Sequence, residues 1–264
     1  GIQNTLIGGL AGDALTTGSL NIAVGDGALS SDTLGSRSVG LGYRALETQN
    51  FTSATEVYNT AIGWAAGNAV TDGVENTFVG GLAGSATDDG AENTAVGSTA
   101  LSGNCGDHNT AVGRMALRIA TGTANTALGH QAGIGLTNGG NNTFVGKSAG
   151  DTVTSGGTNT ALGYRAMGGS STKTGNTNVA IGSDTLFIMT SGANNTAVGY
   201  DAGGSLTTGT NNLILGKSAG LSGSPGGALS TGSNDIALGD GNIDTAHIQV
   251  DWTVASDARD KTDF

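Results

Sequence analysis

Asn125-Thr126-Ala127-Leu128-Gly129-His130-Gln131-Ala132-Gly133 is followed one interval later by Asn142-Thr143-Phe144-Val145-Gly146-Lys147-Ser148-Ala149-Gly150. Both are copies of one unit, Asn-Thr-Ala-(Val/Ile/Leu)-Gly-x-x-Ala-(Gly/Leu). Further copies begin at Asn4, Asn21, Ser38, Asn59, Asn76, Asn93, Asn109, Asn159, Asn178, Asn195, Asn212 and Asp235, which makes 14. Between successive starts the offset is 17 in eight of the 13 cases and 16 in two; the others are 21, 19 and 23. The fifth position is Gly in all 14 copies, the fourth is always aliphatic, and the eighth is Ala in 12. A short tetrapeptide of small and β-branched residues closed by Gly reads as a strand ending in a turn of unusual backbone. Turn formers such as Thr137-Asn138-Gly139-Gly140 lie between copies. No segment holds a capped 3.6-residue period, so no long helix is expected. One strand per coil in constant register predicts an all-β fold, a β-solenoid or β-roll of about 17-residue coils. Coils stacked at ~4.8 Å make a rod about 65 Å long.

The composition agrees with a thin, repetitive body. Of 264 residues 49 are Gly and one is Pro (Pro225), with 4 % aromatic and 12 % charged; soluble domains average roughly 7 % Gly and about 25 % charged. Glycine does not recur at every third position, which excludes collagen. Ten basic against 21 acidic residues give a net charge of −11, which speaks against nucleic acid and against docking on an anionic membrane. The single Cys105 excludes an internal disulfide and a multi-cysteine metal site. No apolar run approaches the ~20 residues of a membrane span, so no membrane insertion is expected. The opening residues do not read as a signal peptide, and Gly1 is not an initiator Met, so a fragment or processed product is expected.

Strand side chains alternate, so positions two and four share one face and one, three and five the other. Position two is mostly Thr but becomes Ile22, Val39, Val179 and Leu213; position three is mostly Ala but accepts Leu6, Phe78, Phe144 and Ile214. Large apolar residues on both faces predict burial on both, including the face that carries Thr. A coil this small has little interior, so one face should pack against partner chains in an intertwined or side-by-side homotrimer. The ninth position alternates in blocks: Gly67 and Gly84, then Leu101 and Leu117, then Gly133 and Gly150.

Catalytic and metal-binding patterns are sparse. His108, His130 and His247 have no ligand spacing. Asp88 and Asp89 precede Gly90 and read as a turn. No metal, no cofactor and no enzymatic activity are expected. Receptor-contact candidates are Tyr43, Arg44, Trp64, Tyr164, Arg165 and Tyr200, which follow the invariant Gly and emerge just past the strand. Expanded turns at 47–58, 168–177 and 221–234 are places for recognition loops standing off the rod.

The Asn-Thr-Ala-Val-Gly unit resembles the repeats of trimeric β-roll heads in autotransporter adhesins. It resembles more closely those in tail fibres of tailed phages, including phages of marine cyanobacteria. Ser256-Asp257-Ala258-Arg259-Asp260-Lys261 is similar to the Ser-Asp-x-Arg-x-Lys opening of the endosialidase-type intramolecular chaperone. That domain trimerises a fibre and then cuts itself off. The resemblance implies Ser256 as nucleophile on the peptide bond that follows it and Lys261 as its assistant; the body of the domain is not within these 264 residues.

Three segments are therefore expected: a rod over 1–243, a terminal strand and linker over 244–255, and the start of the chaperone over 256–264. The resemblance implies a structural and adhesive fibre segment located in the virion and assembled in the host cytoplasm. Its implied partners are other copies of itself, other tail or fibre proteins, and a glycan or protein receptor on the host surface. The alternative is an ice-binding or other surface-adhesin solenoid. Ice binding needs Thr facing water, and its replacement by Ile22 or Leu213 argues for a covered face.

Overall fold

A computed structural model describes residues 1–224 and 226–245. The fold is an all-β parallel solenoid, and no helix occurs among the described residues. Its spine is one 14-stranded parallel sheet whose strands follow chain order, from Thr5–Ile7 to Ile236–Leu238. Register is constant: Thr126 pairs with Thr143, Ala127 with Phe144 and Leu128 with Val145. The longer interval between Ser38 and Asn59 holds its register too, with Val39 opposite Thr60.

Three-residue strands cannot turn a coil, so the turns carry the geometry. In the coil that starts at Asn109, His108, Gly113, Met115 and Leu117 all have positive φ, at 62°, 135°, 59° and 47°. A left-handed non-glycine residue costs roughly 1–2 kcal/mol. What offsets this is that these amides point along the rod. His108 N–H donates to the Ala91 carbonyl at 3.0 Å, Met115 N–H to Ser98 at 3.1 Å and Leu117 N–H to Ala132 at 3.0 Å. Only the fifth position demands Gly by conformation and by space. At Gly80, with φ +132°, a Cβ would lie 2.7 Å from the Gly97 carbonyl carbon.

The coil interior is built from positions one, three, eight and nine, where Asn, Ala or Phe, Ala, and Gly or Leu are buried, and from a column three residues further on that buries Val70, Leu136, Val153, Met189 and Leu206. The buried asparagines form a ladder. Asn142 Oδ1 accepts the Asn159 N–H at 3.0 Å, and Asn142 Nδ2 donates to the Gly156 carbonyl at 2.9 Å. Asn125 and Asn195 repeat the arrangement. Where Ser38 interrupts the ladder, Gln49 enters the core, donating to Asp32 Oδ2 at 2.6 Å and Ser38 Oγ at 3.0 Å and accepting from Asn59 Nδ2 at 2.9 Å.

Phe78 and Phe144 explain the blocks at position nine. A Cβ on Gly133 or Gly150 would lie 2.8 or 2.6 Å from the Phe144 ring, and Gly67 and Gly84 stand in the same relation to Phe78. One large residue at position three fills two coils, so both omit the side chain at position nine.

The face carrying Thr and Val points away from the interior, and among the described residues it is exposed or half-buried: Leu128 is 49 % exposed and Thr126 is exposed. The interior is too narrow for a second layer, and the Asn and Ala columns already fill it. The expectation that the expanded turns stand off the rod is corrected: they fold back onto it. Thr55–Glu56 pairs in parallel with Gly35–Ser36 beside the buried Phe51 and Val57. Lys173 bridges to Val153, and Leu229 packs against the core.

Candidate functional site

The sixth position directly follows the invariant Gly, at the corner where the chain leaves the sheet. Its carbonyl accepts from the seventh-position N–H of the next coil: Ala65 donates to Tyr43 at 2.8 Å, Gln131 to Arg114 at 2.9 Å, Arg165 to Lys147 at 3.1 Å. These bonds stack the sixth and seventh positions into two columns along one edge of the sheet.

Tyr43, Trp64, Tyr164 and Tyr200 all stand in the sixth column, 40 %, 57 %, 46 % and 55 % exposed. The candidates fall into groups. Tyr43 and Trp64 stack with centroids 6.3 Å apart and planes within 13°. The Arg44 guanidinium lies 5.1 Å over the Tyr43 ring, and Arg44 Nε is 3.3 Å from Glu47. Arg165 lies 5.7 Å over Tyr164 and 4.3 Å over Phe187, with Asp184 at 3.5 Å. Tyr200 stands two coils further on, next to Asp201, whose carboxyl burial pushes up.

The middle of the same column carries residues that the sequence patterns did not single out as receptor contacts. Arg114, His130 and Lys147 occupy it on three successive coils, Arg114 Nη1 lies 3.3 Å from His130 Nε2, and Lys147 Nζ lies 5.9 Å from the Tyr164 ring. Reading the sixth position down the aligned copies would have found them. His108 sits at the other end of the strand, its Nδ1 3.3 Å from Glu92. Asp88 and Asp89 are exposed turn residues. Ser256, Lys261, His247 and residues 246–255 of the expected terminal strand and linker lie outside the described residues.

Two further clusters gave no sequence signal. Arg37 Nε meets Glu56 at 3.0 Å, and Tyr58 Oη donates to Glu56 at 2.8 Å. The Tyr58 hydroxyl and then Arg37 hold the Glu56 carboxyl below its usual range. Arg37 and Glu56 border a shallow pocket of about 250 Å³. In the second cluster, the buried Lys173 donates to the Phe187 carbonyl at 2.9 Å and to Thr152 Oγ1 at 3.3 Å. Burial lowers its pKa to about 8 against the opposing charge of Asp151. Among the described residues no group of three His, Cys, Asp or Glu could hold a metal ion.

The chain was compared with protein-family models, curated proteins and solved structures, and it matches none of them.

Proposed function

We propose that this chain is a structural and adhesive segment of a trimeric viral tail fibre or spike that carries attachment to a host cell surface. The observation that supports this most is the outward strand face. Its two columns, Thr or aliphatic at position two and always aliphatic at position four, carry no charge in any of the 14 copies. On a chain of net charge −11, an uncharged stripe is where like-charged copies can meet. The stripe is one short strand wide and 14 strands long, about 650 Å² in projection at sheet spacings. That is of the order of the ~800 Å² per partner of a stable interface. The occupants are two further copies of this chain, and the occupied face is the seam of a bundle of rods. The C-terminal Ser256 junction, by resemblance, releases a trimerisation chaperone once assembly is complete.

The outward Thr column also supports a second reading, an ice-binding face. Against it, Ile22, Val39, Val179 and Leu213 interrupt the Thr row, and side chains of such different size do not present a regular lattice to ice.

Sedimentation velocity and thermal hysteresis on the same sample separate these readings. A stable trimer with no hysteresis supports the fibre segment. A monomer that depresses freezing overturns it in favour of ice binding, and a monomer without hysteresis overturns both.

A further inference from the structure

We infer that the edge columns of the rod form an elongated binding site for a linear acidic polysaccharide lying along the rod axis. This deepens the attachment reading and rests on it only for where such a glycan would be met.

Charge along this edge departs from the chain as a whole. Acidic residues outnumber basic ones 21 to 10 overall. Yet over eight consecutive coils, from Tyr43-Arg44 to Tyr164-Arg165, the sixth and seventh positions hold four basic residues and no carboxylate. Carboxylates return to these columns on either side, at Asp26 and at Asp184. Arg44 and Arg165, at the two ends, each have a carboxylate neighbour. Arg114 and Lys147, in the middle, are exposed and form no ion pair among the described residues. The eight coils span roughly 34 Å at the strand spacing of a sheet.

The same columns hold a slot for a ring. Tyr43 covers Trp64 from one side. On the other side the next coil places Gly81 in the sixth column, and the space its side chain would take is empty, with no atom within 4 Å. Backbone does not demand this glycine, because Gly81 is not left-handed and Tyr43, Tyr164 and Tyr200 occupy the same position on other coils. A pyranose seated over Gly81 packs its C–H groups against Trp64, as apolar surface packs against aromatic rings. The chain of sugars then runs past Ser98 to Arg114 and Lys147, two coils apart, whose cations meet its carboxylates. Coulombic attraction at exposed cations is weak for each pair but adds along a polyanion and falls with salt. Arg114 Nη1 lies 3.3 Å from His130 Nε2, and the imidazole stands between the arginine and the lysine.

The test uses the full chain and four probes: octameric and dimeric galacturonate, neutral maltooctaose, and inorganic polyphosphate, read by calorimetric titration. The uronate octamer should bind more tightly than the dimer and at least about tenfold more tightly than maltooctaose. Gly81→Tyr fills the slot with a side chain that other coils accept, and Trp64→Ala removes the platform. Each should weaken the octamer about tenfold and leave polyphosphate, which has no rings, unchanged. The Arg114→Ala/Lys147→Ala pair should weaken both polyanions and flatten the salt dependence. The inference fails if the octamer does not bind, or binds equally well to Gly81→Tyr. It also fails if any of these variants changes the sedimentation of the free chain, since the edge would then be a contact between copies. A parent chain that sediments as a trimer and does not bind the octamer overturns this site and leaves the fibre reading standing.

Discussion

At the scale of single residues, the rod depends on side chains that replace missing backbone partners. Asn142 satisfies the buried Gly156 carbonyl that closes its own coil and the buried Asn159 amide that opens the next. A buried polar group left unpaired costs ~1–3 kcal/mol, so Asn142→Ala should lose about 2–4 kcal/mol in a thermal melt. Asn142→Asp keeps the shape but removes the donor and buries a charge. It should be worse than Ala at neutral pH and recover towards acid pH, where the protonated carboxyl can donate again. Lys173 works in the opposite sense. Its pKa falls from 10.5 to about 8, so between those values the unfolded chain binds more protons and stability rises with pH. Lys173→Met has no proton to lose. Calorimetry across pH 7 to 10 should show the variant's margin over the parent shrinking as pH rises; a constant margin would assign the burial cost elsewhere.

At the scale of the coil, volume is conserved between neighbours and not within one unit. Leu101 and Leu117 adopt the left-handed backbone seen at Gly133 and Gly150, with φ of 46° and 47° against 61° and 63°. Space is therefore what selects glycine there, and Phe144 is what takes the space. Phe144→Ala should cost ~3–5 kcal/mol through the cavity it leaves. Gly133→Leu alone should also destabilise, because it meets the ring. Combining Phe144→Ala with Gly133→Leu and Gly150→Leu rebuilds the composition of the Leu101 and Leu117 coils, and its melting temperature should recover most of the loss. Additive losses would show that the two positions are not coupled.

At the scale of the molecule, the outward face separates folding from assembly. Val145 projects from the sheet and not into the coil. Val145→Asp should therefore keep the β circular dichroism of the parent while its sedimentation falls to that of a single chain. Loss of the β signal would place Val145 in a core. The C-terminal junction belongs to this scale as well. Joined to a complete chaperone of the kind that Ser256 to Lys261 resembles, the chain should be cut after Ser256. Ser256→Ala or Lys261→Ala should remain uncut and still trimerise, and cleavage persisting in Ser256→Ala on a gel would remove the assignment.

The sequence by itself determined the coil. A motif returning at a near-constant interval with an unvarying Gly permits one stacking register, because the backbone at that Gly has no room for a Cβ. Strand identity, chain-order pairing and the small-residue core were legible for that reason, and so were Tyr43, Trp64 and Tyr164 as exposed side chains past the turn. Which face was inside was not legible. Alternation sorts residues into two sets, and a Thr-Val set and an Asn-Ala set can each be covered. The tertiary structure decided it through the Asn ladder, since the asparagine amide reaches the Gly carbonyl closing its own coil only from within. The paired glycines at position nine needed the next coil to explain them, because Phe144 fills space on both sides of its own layer. Lys173 gave no signal because its burial comes from the irregular turn over 168–177, where the repeat no longer dictates the path. The sixth position of the aligned copies names Arg114, His130 and Lys147, and stacking makes an edge of them by setting them one strand apart although a whole coil of chain separates each from the next.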